Sequence, residues 1–188
     1  MIKDCKAYIM QDVCTWGWKP SWKDRLMGNS SWYIYHYLKH LRGYEFYSKN
    51  MRGVNGIKRT WHYLRYKQLG NKMNVHVAPF TVGPRFRFFH YGDFIHIGEK
   101  AKVGADFTVN QGVVLDAAKN IVIGDHVTLC PGVKVVKDVT IGNNVVVGAM
   151  SVVTHDLPEN AIAAGSPARV LHIVTTQHPY KKLLVNKP

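Results

Sequence analysis

The sequence predicts a mainly β protein: a parallel β-helix of hexapeptide repeats preceded by a helical N-terminal region. Three observations carry this prediction. Ten aliphatic residues recur every six positions, first as Ile97, Val103, Val109 and Leu115, then two residues out of phase as Ile123, Leu129, Val135, Ile141, Val147 and Val153. Glycine often follows the aliphatic residue, as at Gly98, Gly104, Gly124, Gly142 and Gly148. Four residues after most rungs the side chain is small or β-branched: Ala101, Val113, Val127, Val133, Val139, Val145 and Ser151. A helix repeats at 3.6 residues and a flat strand at 2, so neither yields a period of six. A β-helix does, with one short strand and one tight corner per hexad and three hexads per coil. The aliphatic residue points into a narrow prism, and stacked coils bury it.

The N-terminal part has a different texture. It is rich in Trp, Tyr, Lys and Arg and poor in Val. A short helix is expected over residues 3–13, and "CTWGWKPSW" reads as a turn because of Gly17 and Pro20. Trp32, Ile34, Tyr35, Leu38 and Leu41 lie near helical spacing in "SWYIYHYLKHLRGYEFYSKN", with Ser31 as its expected cap. Ile57, Trp61, Leu64 and Leu69 do so in "GIKRTWHYLRYKQLG", with Gly70 as its expected stop. Aromatic residues at such spacing are expected to pack on the β-helix.

Strands are expected from about residue 75 to about residue 165, enough for about five coils of roughly 18 residues. The turn-like residues 117–120 absorb the two-residue phase change. "DLPENAIAAGSPARVL" is expected to leave the prism through Pro158 and Pro167. Three units follow: residues 1–73, a basic-aromatic helical region; 74–171, the β-helix; and 172–188, a basic tail.

Composition narrows the function. The formal charge is +13 over 188 residues. Residues 1–76 carry a net +10 and residues 77–188 a net +3, so the basic face lies at the front of the chain. Such a face attracts anions and is screened by salt. Cys5, Cys14 and Cys130 form neither an even disulfide framework nor a metal-like cluster, which predicts free thiols. No apolar run reaches the roughly 18 residues of a spanning helix, and no signal-peptide core opens the chain. A cytoplasmic protein is expected, its basic region suited to the inner membrane face.

The run from "IGDHVTLCPGVKVV" to "AIAAGSPARVL", with "GPRFRFFHYGDF" and "NQGVVL" before it, resembles the hexapeptide-repeat acyltransferases. It is most similar to the serine acetyltransferase-like group that includes sugar O-acetyltransferases of polysaccharide gene clusters. The resemblance spans about residues 74–171. It implies a left-handed coil, where the general crossover rule would give a right-handed one. It also implies acetyl-CoA as donor, no metal, and a homotrimer with donor sites between prisms; no nucleic-acid partner is expected, because no nucleic-acid motif is visible in the basic-aromatic helices. His90 matches the family's catalytic histidine and would deprotonate the acceptor hydroxyl. Imidazole suits that task because it titrates near neutrality.

Two departures bear on the acceptor. Serine acetyltransferases carry Asp just before that histidine, and here the position is Phe89. Asp93 or a backbone carbonyl is then left to orient the ring. The group's second histidine, on a later loop, has no clear counterpart. Both departures favour a sugar hydroxyl of a surface-polysaccharide precursor, small or lipid-linked, over serine. Serine acetylation is the alternative enzyme reading, and a non-catalytic β-helix assembly or binding module is the alternative outside enzymes.

Asn110 and Gln111 follow His90 by one coil and an inserted corner. They are candidates to hold a sugar hydroxyl or polarise the thioester, or else to stabilise a turn. By resemblance, Gly148, Ala149, Ala164, Gly165 and Ser166 line the pantetheine channel and Arg169 meets a CoA phosphate, which suits a guanidinium fork. His96, His126 and His155 raise a metal reading, but their places in the repeat do not aim them at one point.

Overall fold

The computed structural model describes residues 5–13, 20–49, 53–88 and 94–175. Among those residues four helices come first: α1 (Cys5–Val13), α2 (Trp22–Leu26), α3 (Ser30–Lys49) and α4 (Asn55–Met73). Among the described residues fourteen strands follow, β1 (Val75–Val77) to β14 (Ala168–Ile173). The result is a parallel β-solenoid, of the kind that is left-handed in hexapeptide proteins, with the helical region at its first coil.

The solenoid has three walls. One stacks β1, β3 (Ile95–Ile97), β6 (Val114–Leu115), β9 (Lys134–Val135) and β12 (Val152–Val153). The second stacks β4 (Lys102–Val103), β7 (Ile121–Ile123) and β10 (Val139–Ile141), extended by parallel bridges at Val82 and Leu157. The third stacks β2 (Arg87–Phe88), β5 (Thr108–Val109), β8 (Thr128–Leu129), β11 (Val146–Val147) and β13 (Ala161–Gly165), with β14 antiparallel at its far edge. All ten ladder residues are buried, as are all seven partners four positions on.

The first coil and the last depart from the ladder for legible reasons. Val77, Val82 and Phe88 fill the first coil. Nine residues separate Phe88 from Ile97 where six are usual, which hides Phe88 from a six-residue template. Leu157 and Ala163 complete the last coil. The chain therefore stays in the prism past Pro158 and turns back only after Gly165, a correction to the expected exit. Residues 116–120 take up the phase change: Ala118 N–H donates to Asp116 Oδ1 at 2.9 Å, and Asn120 N–H to Asp138 Oδ1 at 2.6 Å. The corners after the second wall turn through left-handed residues at Asp106, His126, Asn144 and Asn160, types that tolerate that conformation.

The helical region seals the first coil. An end coil leaves backbone groups unpaired, and these must be satisfied when buried. Tyr37 Oη accepts from Val77 N–H at 3.1 Å, and Tyr66 Oη donates to Val77 O at 2.6 Å. Glu45 accepts from Phe80 N–H at 2.7 Å, and Asp12 from Phe86 N–H at 3.0 Å. Arg42 donates to Val82 O at 2.9 Å and Gly83 O at 2.6 Å. Its remaining donors pair with Asp12 at 2.6 Å and Glu45 at 2.9 Å. Burial alone would lower its pKa; the two carboxylates outweigh that and hold it above the ordinary value. Ile34, Tyr37, Leu38, Leu41, Leu69 and Met73 continue the apolar core of the prism without a break.

Three helix expectations are corrected. α3 begins at Ser30, and Trp32 N–H bonds to Asn29 O, so Ser31 lies inside the helix. α4 runs through Gly70 to Met73 and ends at left-handed Asn74. Gly70 is needed for contact: a Cβ there would lie 2.7 Å from Val75 O. α4 packs through His62, Tyr66, Leu69, Gly70 and Met73, so Ile57, Trp61 and Leu64 face outward at 76%, 50% and 60% exposure. The expected "CTWGWKPSW" turn lies outside the described residues up to position 19, and Trp22 opens α2.

Candidate functional site

One column of corners gathers most of the predicted site residues. The third wall runs in register through Phe88, Val109, Leu129, Val147 and Ala163. The corner after each strand is therefore stacked on the next. Asn110-Gln111-Gly112 follows β5, Cys130-Pro131-Gly132 follows β8, Gly148-Ala149-Met150 follows β11, and Ala164-Gly165 ends β13. Backbone bonds tie the levels together: Gly132 N–H to Gln111 O at 2.9 Å, Met150 N–H to Pro131 O at 2.8 Å, and Gly148 N–H to Ala163 O at 2.8 Å. His90 stands two residues after Phe88 in the sequence, as Gln111 stands two after Val109. His90, Phe89 and Asp93 themselves lie outside the described residues.

The two amides of this column differ. Asn110 Nδ2 donates to Leu129 O at 3.0 Å, so its side chain holds the corner. Gln111 Oε1 is buried and, among the described residues, has no hydrogen-bond partner. A buried amide oxygen without a donor is costly, and a donor group of a ligand relieves that cost.

Higher up the column the side chains shrink. A Cβ on Gly148 would lie 2.9 Å from the Cβ of Ala164, so only glycine permits this stacking. With Ala149, Ala164 and Gly165 it makes a narrow track free of long side chains. Ser151 is fully buried, and its Oγ accepts from Gly165 N–H at 3.0 Å, fixing the track's end. Beyond Gly165, Ser166 and Arg169 are exposed. Arg169 Nη1 lies 3.2 Å from His155 Nδ1, and Arg169 pairs with Ala164 across the β13–β14 turn.

Sequence reasoning missed two residues at this column. Lys134 Nζ donates to Gly112 O at 2.5 Å, which brings a cation beside Gln111. Its place just before the rung Val135 marks it as outward-facing, so the ladder held that signal. Cys130 is a half-buried free thiol whose pKa burial pushes up, which keeps it protonated and unreactive. Cys5 likewise forms no disulfide among the described residues, and Cys14 lies outside them.

The three histidines of the metal reading occupy separate places. His96 stacks on Phe94 at 5.7 Å beside His76, in a cleft of about 250 Å³ lined also by Tyr66, Lys67 and Lys100. Burial, then His96 and Lys67, lower the pKa of His76. His126 Nδ1 lies 3.3 Å from Asp106, and His155 contacts Thr154 Oγ1 at 2.8 Å. Among the described residues no three His, Cys, Asp or Glu side chains converge to hold a metal ion.

With this geometry in view, comparison with known proteins is informative. Residues 120–155 match the family described as bacterial transferase hexapeptide (six repeats). The chain is 36% identical over 97 residues to serine acetyltransferase of Bacillus subtilis, covering 48% of this chain and 44% of that protein. It is 46% identical over 65 residues to galactoside O-acetyltransferase of Escherichia coli, covering 34% of this chain and 29% of that one. The chain thus spans less than half the length of these relatives. In fold it matches serine acetyltransferase of Brucella abortus in complex with coenzyme A, with a TM-score of 0.67, 18% identity, and coverage of 90% of this chain and 68% of that one. The chain carries a hexapeptide-repeat β-solenoid and is homologous to serine acetyltransferases.

Proposed function

We propose that this hexapeptide-repeat protein is an acetyl-CoA-dependent O-acetyltransferase whose acceptor is a sugar hydroxyl in surface-polysaccharide biosynthesis. His90 is the base. It takes the hydroxyl proton as the oxygen attacks the thioester carbonyl, and the imidazolium returns that proton to the departing CoA sulfur. Asp93 orients the ring in place of the carboxylate that Phe89 displaces. Gln111 Oε1 accepts a hydrogen bond from a bound substrate, with Asn110 holding its corner. The thin pantetheine arm lies along Gly148, Ala149, Ala164, Gly165 and Ser166, and Arg169 meets a phosphate. Three prisms assemble as a trimer, with a donor site between neighbours.

The observation that carries this reading is the corner column. It lines up an orphaned buried amide oxygen and a track of small residues, on the wall from which the sequence runs directly into His90. The small residues of that track and the cation at its end fit a thin, phosphate-bearing donor. Relatives named for serine and for galactoside acetylation support acetyl transfer in common and differ on the acceptor. Phe89 and the missing second histidine favour the sugar.

The test is an acceptor screen with labelled acetyl-CoA, comparing hexoses and their nucleotide derivatives with free serine. Transfer to a sugar with little to millimolar serine is expected. Robust acetylation of serine would reverse the choice.

A peripheral site on the inner membrane face belongs to the same proposal. No helix among the described residues is long and apolar enough to cross a membrane. α4 instead presents Ile57, Trp61 and Leu64 outward, carries Lys58, Arg59, Arg65, Lys67 and Lys72, and contains no Asp or Glu. An apolar stripe with cationic flanks is the pattern of a helix that lies in an anionic lipid interface. Two copies meeting through this face would bring like charges together. Cosedimentation with phosphatidylglycerol vesicles that is lost in an Ile57→Ser/Leu64→Ser variant is the expected result. Equal binding by that variant would exclude the stripe.

A further inference from the structure

Arg87 is a buried cation two of whose three guanidinium nitrogens lack a hydrogen-bond partner among the described residues. The residue is only 7% exposed, and the two nitrogens are Nε and Nη2. Its neighbour Phe88 fills the prism, so Arg87 stands on the outer face of the third wall, in register with Thr108, Thr128, Val146 and Ile162. Burial lowers its pKa; Asp106 opposes this and Arg85 adds to it. Asp106 attracts it through space but makes no hydrogen bond to it. Both carboxylate oxygens are engaged by Arg85, at 2.8 and 2.6 Å, and His126 lies 3.3 Å from one of them. Two buried guanidinium donors without acceptors are costly to a folded protein. Planar and forked, it is built for two parallel bonds to carboxylate or phosphate.

Its place says which ligand that anion belongs to. β2 and β14 lie at opposite ends of the third sheet, five strand spacings apart. At about 4.8 Å per spacing, Arg87 and Arg169 are separated by about 24 Å along the wall. A donor with its phosphates at Arg169 and its thioester toward the first coil reaches the end where Arg87 stands. Arg87 is also three residues before His90. We propose that Arg87 receives an anionic group of the acceptor, a carboxylate or a phosphate, so that the acceptor is an acidic sugar or a sugar phosphate. This rests on the acetyl-transfer reading above and narrows its substrate class.

The test uses glucose, glucuronate and glucose 1-phosphate with the intact protein, the Arg87→Met variant and the Arg87→Lys variant. Thermal shift reads binding directly, and labelled acetyl transfer reads KM. In the native protein at least one acidic sugar raises the melting temperature where glucose does not, and the arm that responds names the anion. Arg87→Met abolishes that shift and raises the KM of the acidic acceptor at least tenfold. It leaves the KM of acetyl-CoA unchanged and melts no lower than the native chain, since it removes a buried charge with two unbonded donors. Arg87→Lys retains part of the preference. Three results would overturn the proposal: acidic sugars stabilising the native protein no more than glucose does, Arg87→Met keeping the preference, or Arg87→Met dissociating the assembly in sedimentation. The last would mean that a second copy supplies the carboxylate. Failure of the acetyl-transfer reading shows separately, as label reaching none of these acceptors while the binding preference stands.

Discussion

Replacing Arg42 with Met should destabilise the protein by about 4 kcal/mol. Arg42 is 4% exposed and gives its donors to Asp12, Glu45 and the carbonyls of Val82 and Gly83. Asp12 and Glu45 are themselves 0% and 1% exposed. Methionine keeps most of the stem volume and removes the charge, leaving two buried carboxylates that repel each other. Breaking one member out of a buried ion network costs about 3–5 kcal/mol, against a total stability of about 5–15 kcal/mol for a domain. Urea unfolding followed by circular dichroism should show the midpoint falling by about 2 M for a slope near 2 kcal/mol/M. The loss should depend on pH. Without Arg42, burial holds the Asp12 carboxyl above its unfolded value, so the folded state binds a proton more readily than the unfolded one. The deficit is then largest at high pH and shrinks as pH falls toward that raised pKa, making it smaller at pH 5 than at pH 8. Adding Asp12→Asn should restore part of the stability, because Asn still accepts from Phe86 N–H. A loss under about 1 kcal/mol, or one unchanged between the two pH values, would show that this network does not hold the helices to the first coil.

Three further outcomes are expected. His40 and His62 lie Nδ1 to Nδ1 at 3.2 Å between α3 and α4, and burial pulls His40 down to about 3 and His62 to about 4. Both depressed values mean that stability is intact above the unfolded pKa near 6.5 and is lost as pH falls below it. The loss grows between pH 7 and pH 5 because both imidazoles must charge while buried beside each other, and urea unfolding of His62→Asn should show a smaller fall in stability over that pH range than the native protein. Ile141→Asp puts a carboxylate into a fully buried column, so it should cost several kcal/mol and yield little folded protein by circular dichroism. Arg169→Ala should weaken CoA binding by about 1.5–3 kcal/mol, roughly ten- to a hundredfold. Calorimetry with dephospho-CoA beside CoA shows whether the 3′-phosphate is the group read.

The interior of the prism was legible because each rung is a single inward-facing residue at a fixed period, so Ile141 and Val147 declare their burial without tertiary knowledge. The first coil was less legible. Phe88 occupies a rung, but three extra residues separate it from the next, and Val82 holds its place through one isolated bridge. The helices misled where a sequence pattern had two physical meanings. Ile57, Trp61 and Leu64 have core spacing, yet the face of α4 that meets α3 is the one bearing His62 and Tyr66. Gly70 has the composition of a stop but serves a close approach to Val75. At the candidate site, spacing placed Asn110 and Gln111 one coil after His90, but only coordinates separate a spent amide from an orphaned one. Arg87 could not have been singled out from sequence, because only coordinates show that its Nε and Nη2 are buried without an acceptor while Asp106 bonds Arg85.

The central claim is that His90 removes the acceptor's proton, and the most direct measurement is single-turnover acetyl transfer by His90→Ala beside the native protein, with acetyl-CoA binding measured on the same samples. The account predicts a rate lower by about 10²–10⁴ with acetyl-CoA affinity and melting temperature unchanged. Transfer at the native rate by His90→Ala, with donor bound equally well, would contradict it.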